Sequence, residues 1–410
     1  MATRPVFVLG GAQTDFARNL AREGGTLDGL VGESVDRTLA AAAVEVETIE
    51  AIHVGNAFGE LFTGQAHLGA MPATAREALW GVPAARHEAA CASGSLAILA
   101  AMADIEAERY DCVLVLGVEQ ERNVSGEVAG KYLGAAAWVG REGEGARYLW
   151  PHMFSRIADA YAERWGLDPR HLAAIGRKNL DNAKRNPLAQ TRAWVYSDAS
   201  FTADDTLNPI VEGRLRRYDC AQLTDGAAGV VLASARYAET HAKRAGRSLD
   251  TYARIAGWGH RTAALGLDAK LARASREDYL VPHVRRAILD AYRRAGIAGP
   301  DDLDGVETHD CFTPTEYLAI DHLGLTPPGQ SFRAIEGGVV DRGGALPFNP
   351  SGGLIGGGHP VGATGVRMVV DAANQVTGAA GDTQVDGART FATLNIGGSA
   401  TTAVCLIVTR

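Results

Sequence analysis

Cysteine is scarce and has no pairing rhythm: Cys91, Cys112, Cys220, Cys311 and Cys405 are the five in 410 residues. An odd number at irregular intervals argues against a disulfide scaffold and for a reducing, cytoplasmic compartment. Metal-type spacing is missing too, so no bound metal is expected. Positive charge is in deficit, with 40 Lys and Arg against 48 Asp and Glu and a net charge of −8. A nucleic-acid backbone is repelled on average, although a local basic patch can still meet the phosphates of a nucleotide ligand. Long apolar runs are absent: nothing reaches the ~18 residues that a membrane span needs. Residues 6–11 form a short apolar run without a signal-type basic region or cleavage site, and read as a buried strand. The ending Val408-Thr409-Arg410 is not a peroxisomal address.

Glycine, by contrast, is abundant at 49 residues and is dense near the C-terminus, which implies tight turns and close backbone approaches. Strand-like and helix-like segments alternate: strands over 5–10, 51–55 and 112–117, helices over 27–43 and 65–79. The alternation predicts an α/β fold with a buried sheet. From about residue 121 the strand rhythm fades into an insertion rich in Arg, Asn, Asp and Trp, with helices over 153–165 and 169–184. Residues 226–233 resume a buried strand. A helix over 281–295 and strands over 306–308, 390–394 and 403–408 follow. Cys91 and His359 each open a helix of small and apolar residues, and each helix is followed by a strand. One such pair hints at a duplicated α/β unit.

Three places carry chemistry. Cys91, in Cys91-Ala92-Ser93-Gly94, faces the positive end of a helix, which favours thiolate; the alternative is a structural cysteine packed among alanines. His359 ends a glycine-rich run from Gly352 to Gly358 that lacks the Gly-Lys-Ser/Thr of a triphosphate loop and the dinucleotide fingerprint. The glycines read as clearance for a thin ligand arm, or His359 is simply a core histidine. His309-Asp310-Cys311-Phe312 follows a strand, where an active-site loop belongs in an α/β protein. It suits acid–base work better than a metal pair, with packing as the bland alternative. Cys220 reads as a wall residue, Cys112 and Cys405 as core. His87 and His152 have no partner discernible in the sequence.

Taken together, Cys91-Ala92-Ser93-Gly94, His309-Asp310-Cys311-Phe312, Gly358-His359-Pro360 and Leu394-Asn395-Ile396-Gly397-Gly398 fall in the order and spacing of the four thiolase motifs. The chain resembles the thiolase superfamily over nearly its whole length. Most thiolases carry Asn-Glu-Ala-Phe where this chain has 309–312, and a cysteine where it has Asn395. Both departures, with residues 54–61, point to the subgroup resembling the thiolase domain of sterol carrier protein x.

The resemblance implies a five-layered αβαβα fold: an N-terminal half at 1–120 and 222–250, a coenzyme A loop domain at 121–221 and a C-terminal half at 251–410. It implies Cys91 as nucleophile, His359 as the group that accepts its proton or stabilises the thiolate, and Cys311 as the acid that protonates the departing enolate. His309 and His359 hold one oxyanion, and the amides of Cys91 and Gly397 hold the other. Cys220, Ala221 and Asn395 contact substrate, Ala221 standing where the family usually has a serine. Coenzyme A is substrate rather than resident cofactor. The assembly is a homodimer or homotetramer.

The implied activity is cleavage of a 3-ketoacyl-CoA by coenzyme A, or the reverse condensation. Three alternatives remain: a retro-aldolase or acyltransferase with a small zinc-ribbon partner, a decarboxylating ketoacyl synthase, and a non-catalytic acyl-CoA binder. Aldol cleavage needs no acyl-enzyme thiol and decarboxylation needs no Cys311. A binder would leave Cys91 inert.

Overall fold

The computed structural model describes residues 4–410. The N-terminal part runs β1 (Val6–Gln13), α1 (Leu27–Ala42), β2 (Ala51–Gly55), β3 (Ala84–His87), α2 (Ser93–Glu106) and β4 (Cys112–Glu119). Next come α3 (Gly126–Leu133), α4 (Leu149–Trp165), α5 (Pro169–Ala183) and a hairpin of β5 (Ile210–Glu212) with β6 (Leu215–Arg216). The remainder is β7 (Gly226–Ser234), β8 (Ala253–Thr262), α6 (Leu267–Ala274), α7 (Pro282–Ala295), β9 (Gly305–Thr308), α8 (Thr313–His322), α9 (Thr364–Thr377), β10 (Thr390–Gly397) and β11 (Thr402–Thr409).

Nine strands form one mixed sheet in the order β3-β2-β4-β7-β1-β8-β11-β10-β9. β3, β2 and β4 run parallel, as do β9 and β10, and the inner neighbours are antiparallel. The halves join where β1 pairs β8, through a short register from Val6↔Ile255 to Val8↔Ala253.

Strand periodicity then sorts side chains onto two faces. In β4, Val113 and Val115 point into a central core while Cys112, Leu114, Leu116 and Val118 point to an outer one beneath α1. β11 does the same: Val404, Leu406 and Val408 face the centre, and Ala403, Cys405 and Ile407 face α7. The central core also takes Ala97, Ile98 and Ala101 of α2 and Val366, Val369 and Val370 of α9. The layers are therefore α1, sheet half, α2 with α9, sheet half, α7.

The two central helices meet through glycines. A Cβ at Gly94 would lie 2.7 Å from the carbonyl oxygen of Gly362, and one at Gly362 would lie 2.6 Å from that of Gly55. Cys91 and His359 precede these helices, so the close approach is what draws them together.

Helices α4 and α5 pack Met153, Phe154, Ile157, Leu172 and Ile175 against Cys311, Phe312 and Tyr317. The sequence expectation of one helix over 65–79 is corrected: the segment breaks into Leu68–Ala70, Met71–Ala75 and Glu77–Leu79. The left-handed His67 (φ 56°) begins it, and the chain turns extended at Arg76. β3 was not anticipated, because its four residues carry too little apolar pattern. Among the described residues no helix is long and apolar enough to cross a membrane.

Candidate active site

The turn before α2 is shaped to present a sulfur. Ala90 adopts φ 51°, a left-handed conformation that costs about 1–2 kcal/mol for a residue with a Cβ. Ser93 holds it there: its Oγ accepts the amide of Ala89 at 2.9 Å and donates to the carbonyl of Ala90 at 2.6 Å. Cys91 follows, half-buried at the cavity wall.

His359 arrives after Gly358, which sits at φ 112°, a region that glycine tolerates and L side chains rarely adopt. Thr364 Oγ1 lies 2.6 Å from His359 Nδ1 and 3.2 Å from the carbonyl of Pro360; assigning the hydroxyl proton to that carbonyl makes Nδ1–H the donor to Thr364. That leaves Nε2 as a bare lone pair. Its counterpart, His309, follows β9, with its amide bonded to the carbonyl of Leu394 at 2.8 Å. Asn395 Nδ2 lies 3.2 Å from His309 Nδ1, and Ser95 Oγ donates to Asn395 Oδ1 at 2.8 Å. An amide donating to Nδ1 puts the ring proton on Nε2. The two Nε2 atoms have no protein partner, and one offers a lone pair where the other offers a proton.

Cys91 Sγ and the nearest ring nitrogens of both histidines lie within 4.8 Å of one another. The imidazoles stand perpendicular (83°), centroids 5.3 Å apart. Cys91, Cys311 and His359 line one cavity of about 380 Å³, together with Cys220, Ala221, Phe312 and Gly398. The same sulfur and nitrogens are the one donor set among the described residues that converges closely enough for a metal ion. Binding one there would engage the Cys91 thiol and both imidazoles.

Electrostatics at the sulfur run against the sequence expectation. Burial, then nearby Glu121, push the Cys91 thiol up to about 12, outweighing the amides of Gly398 and Cys91 itself. The resting group is a thiol. Burial also holds Cys311 well above the ordinary thiol range, with Cys91 contributing. Burial lowers His359 to about 3 and His309 far below its usual value, helped by the buried Arg367 and, for His309, by His359. Both imidazoles are neutral at physiological pH.

Comparison with known proteins now decides the family. Residues 6–236 match the thiolase N-terminal domain, and residues 268–410 match the thiolase C-terminal domain-like family. The chain belongs to the thiolase family. This thiolase is 31% identical to the acetyl-CoA acetyltransferase of Methanothermobacter thermautotrophicus, over 99% of this chain and 100% of that one. It is 28% identical to human sterol carrier protein 2, over 96% of this chain and 70% of that protein. Among solved structures, the Ltp2-ChsH2(DUF35) aldolase superposes with TM-score 0.78 at 18% identity, covering 100% of this chain and 99% of that one. Human mitochondrial 3-ketoacyl-CoA thiolase in complex with CoA gives 0.68 at 17%, covering 99% and 98%. As a thiolase the chain is an acyltransferase enzyme.

Several expected positions fall differently from the sequence reading. Gly398 lines the cavity with Cys91, whose thiolate its amide favours, while Gly397, one residue before it, is not on that wall. Asn395 is fully buried behind His309 rather than on the cavity wall. His87 does have a partner: its Nε2 lies 2.8 Å from His53 Nδ1, and His53 Nε2 lies 3.1 Å from Asp104. Two residues of the site went unseen in the sequence. Glu121 lines the cavity; its signal was an acid just past the end of a buried strand. Lys270 anchors the loop after Gly398, bonding Ser399 Oγ (2.8 Å) and Thr401 Oγ1 (2.7 Å). Nothing in its local sequence marks it.

Proposed function

We propose that this enzyme cleaves 3-ketoacyl-CoA thioesters with coenzyme A, or runs the condensation in reverse, through an acyl group on Cys91. The observation that carries the reading is the meeting of two thiols and the neutral His359 around one cavity, with the His309 imidazole buried within 4.8 Å of Cys91 and His359.

His359 Nε2 takes the proton of Cys91, and the thiolate attacks the C3 ketone. The His309 Nε2–H donor faces the oxygen of the thioester carbonyl and stabilises it as the C2–C3 bond breaks and it becomes an enolate. Cys311 gives its proton to the enolate carbon, releasing acetyl-CoA. The Cys311 thiolate then deprotonates an incoming coenzyme A, whose sulfur takes the acyl group from Cys91. The amides of Cys91 and Gly397 serve the acyl oxyanion, and Gly398 beside them lines the cavity. Asn395 positions His309, and Cys220 and Ala221 border the pantetheine path. Arg217, on the cavity wall and beside Trp194 and Tyr218, offers a cation to the phosphates.

The division into halves at 1–120 with 222–250 and at 251–410, around a coenzyme A loop domain at 121–221, belongs to this reading, as does a reducing compartment, which five free thiols suit. So does a homodimer or homotetramer, for β3 pairs only β2 and leaves its other edge open.

The test supplies acetoacetyl-CoA and coenzyme A to the purified protein and follows loss of the magnesium-enolate absorbance. Turnover with transient acyl-Cys91 is expected, and turnover undiminished in Cys91→Ala overturns the mechanism. The superposition on an aldolase bound to a DUF35 partner favours one second reading, retro-aldol cleavage with a zinc-ribbon partner. That reaction would proceed without any acyl-enzyme.

A further inference from the structure

Glu121 follows the end of β4 by two residues, is 1% exposed, and is the only carboxyl on the wall of the catalytic cavity among the described residues. Its neighbours are two more buried acids. Glu119 is saturated, accepting from Asn56 Nδ2 (2.8 Å) and from the amides of Ala57 (2.9 Å), Phe58 (3.1 Å) and Gly362 (3.0 Å). Asp225 accepts the amides of Leu20 (2.9 Å), Glu121 (2.7 Å) and Arg122 (2.8 Å). Glu121 is served by the amides of Val361 (2.9 Å) and Thr224. A carboxyl has room for about four hydrogen bonds, so Glu121 keeps capacity toward the cavity.

Three adjacent carboxyls cannot all ionise in a buried site. The proton belongs on the one with the fewest donors, and burial with the charges of Glu119 and Asp225 raises Glu121 well above the carboxylate range. A carboxylic acid O–H then faces a cavity otherwise walled here by Phe58, Leu133, Leu223 and Val361. Glu121 and Cys91 line the same cavity, which places the carboxyl on the wall facing the acyl group that the sulfur would hold.

We infer that Glu121 is a specificity residue: its carboxyl donates a hydrogen bond to an oxygen substituent on the acyl group held by Cys91. The preferred acyl class then carries a hydroxyl or carbonyl oxygen near the thioester, rather than a plain alkyl chain. A buried donor left without an acceptor penalises the ligand that lacks one. The inference rests on Cys91 being the acylated residue.

The experiment compares 3-hydroxybutanoyl-CoA with 3-methylbutanoyl-CoA, in which a methyl group replaces the hydroxyl. The rate of acyl transfer to Cys91 is read by intact mass and located by peptide mapping. The wild type should favour the hydroxy thioester roughly tenfold or more. Glu121→Gln, which keeps a donor, should retain part of that ratio, and Glu121→Leu should abolish or reverse it. A wild-type ratio near one overturns the inference without any variant, and so does a ratio unchanged in Glu121→Leu; both leave acyl-Cys91, and the thiolase reading, intact. No acyl group on Cys91 from either thioester overturns both.

Discussion

With the Cys91 thiol raised to about 12 by burial and Glu121, the free enzyme carries almost no thiolate at neutral pH. Alkylation of Cys91 by iodoacetamide should therefore be slow at pH 7 and climb steadily between pH 8 and 11, followed by mass spectrometry. A plateau already reached at pH 7 would show a preformed thiolate. Since the thiol must lose its proton within the complex, the neutral His359 Nε2 bears the load. His359→Ala should lower kcat by about 10²–10⁴, the usual worth of a positioned base. Cys311→Ala removes the proposed proton donor and should slow thiolysis comparably, while acyl-Cys91 still accumulates when a simple acyl-CoA is supplied.

The loops that aim these groups depend on elements some distance away. Lys270 of α6 ties down Ser399 and Thr401 just beyond Gly398, and also bonds the carbonyl of Leu265 (2.9 Å). Lys270→Met should loosen the turn at Gly397 and Gly398 and reduce kcat about tenfold or more with little change in KM, because the oxyanion donor proposed there acts in the transition state. Circular dichroism should show the fold retained. The contact between α2 and α9 is tighter still. Gly94→Ala would push a Cβ to 2.7 Å from the Gly362 carbonyl and 3.0 Å from the Val366 amide. It should destabilise the protein by about 1–3 kcal/mol, as overpacking does, measured by denaturant unfolding.

Across the whole molecule, buried thiols set the alkaline limit. Cys91 and Cys405 are raised to about 12, and Cys112 to about 11, from an ordinary 9.0, chiefly by burial. A folded pKa above the unfolded one means stability is intact below pH 9 and is lost as pH rises through the folded values. The melting temperature should fall between pH 9 and 11. A constant or rising value would show that these thiols do not lose their protons in the unfolding equilibrium as argued.

Much of this was legible before any coordinates. Continuous apolar runs marked β1, β4, β7 and β11, because a strand buried on both faces turns apolar side chains to two cores. Cys91, His309, Cys311 and His359 stood out because reactive side chains sat at the ends of strands or the starts of helices, among glycines. Element ends and short pieces were less clear: β3 has only four residues, and 65–79 breaks where local turns override a helical pattern. The sequence alone determined the α/β class, the thiolase motifs and the candidate reacting groups, since these depend on local pattern and residue chemistry. Tertiary structure alone decided which Nε2 carries a proton, that Cys91 rests as a thiol, and that Glu121, Gly398 and Lys270 join the site. Those properties arise from burial and from hydrogen bonds between residues hundreds of positions apart, such as Ser95 with Asn395, and no local pattern encodes them.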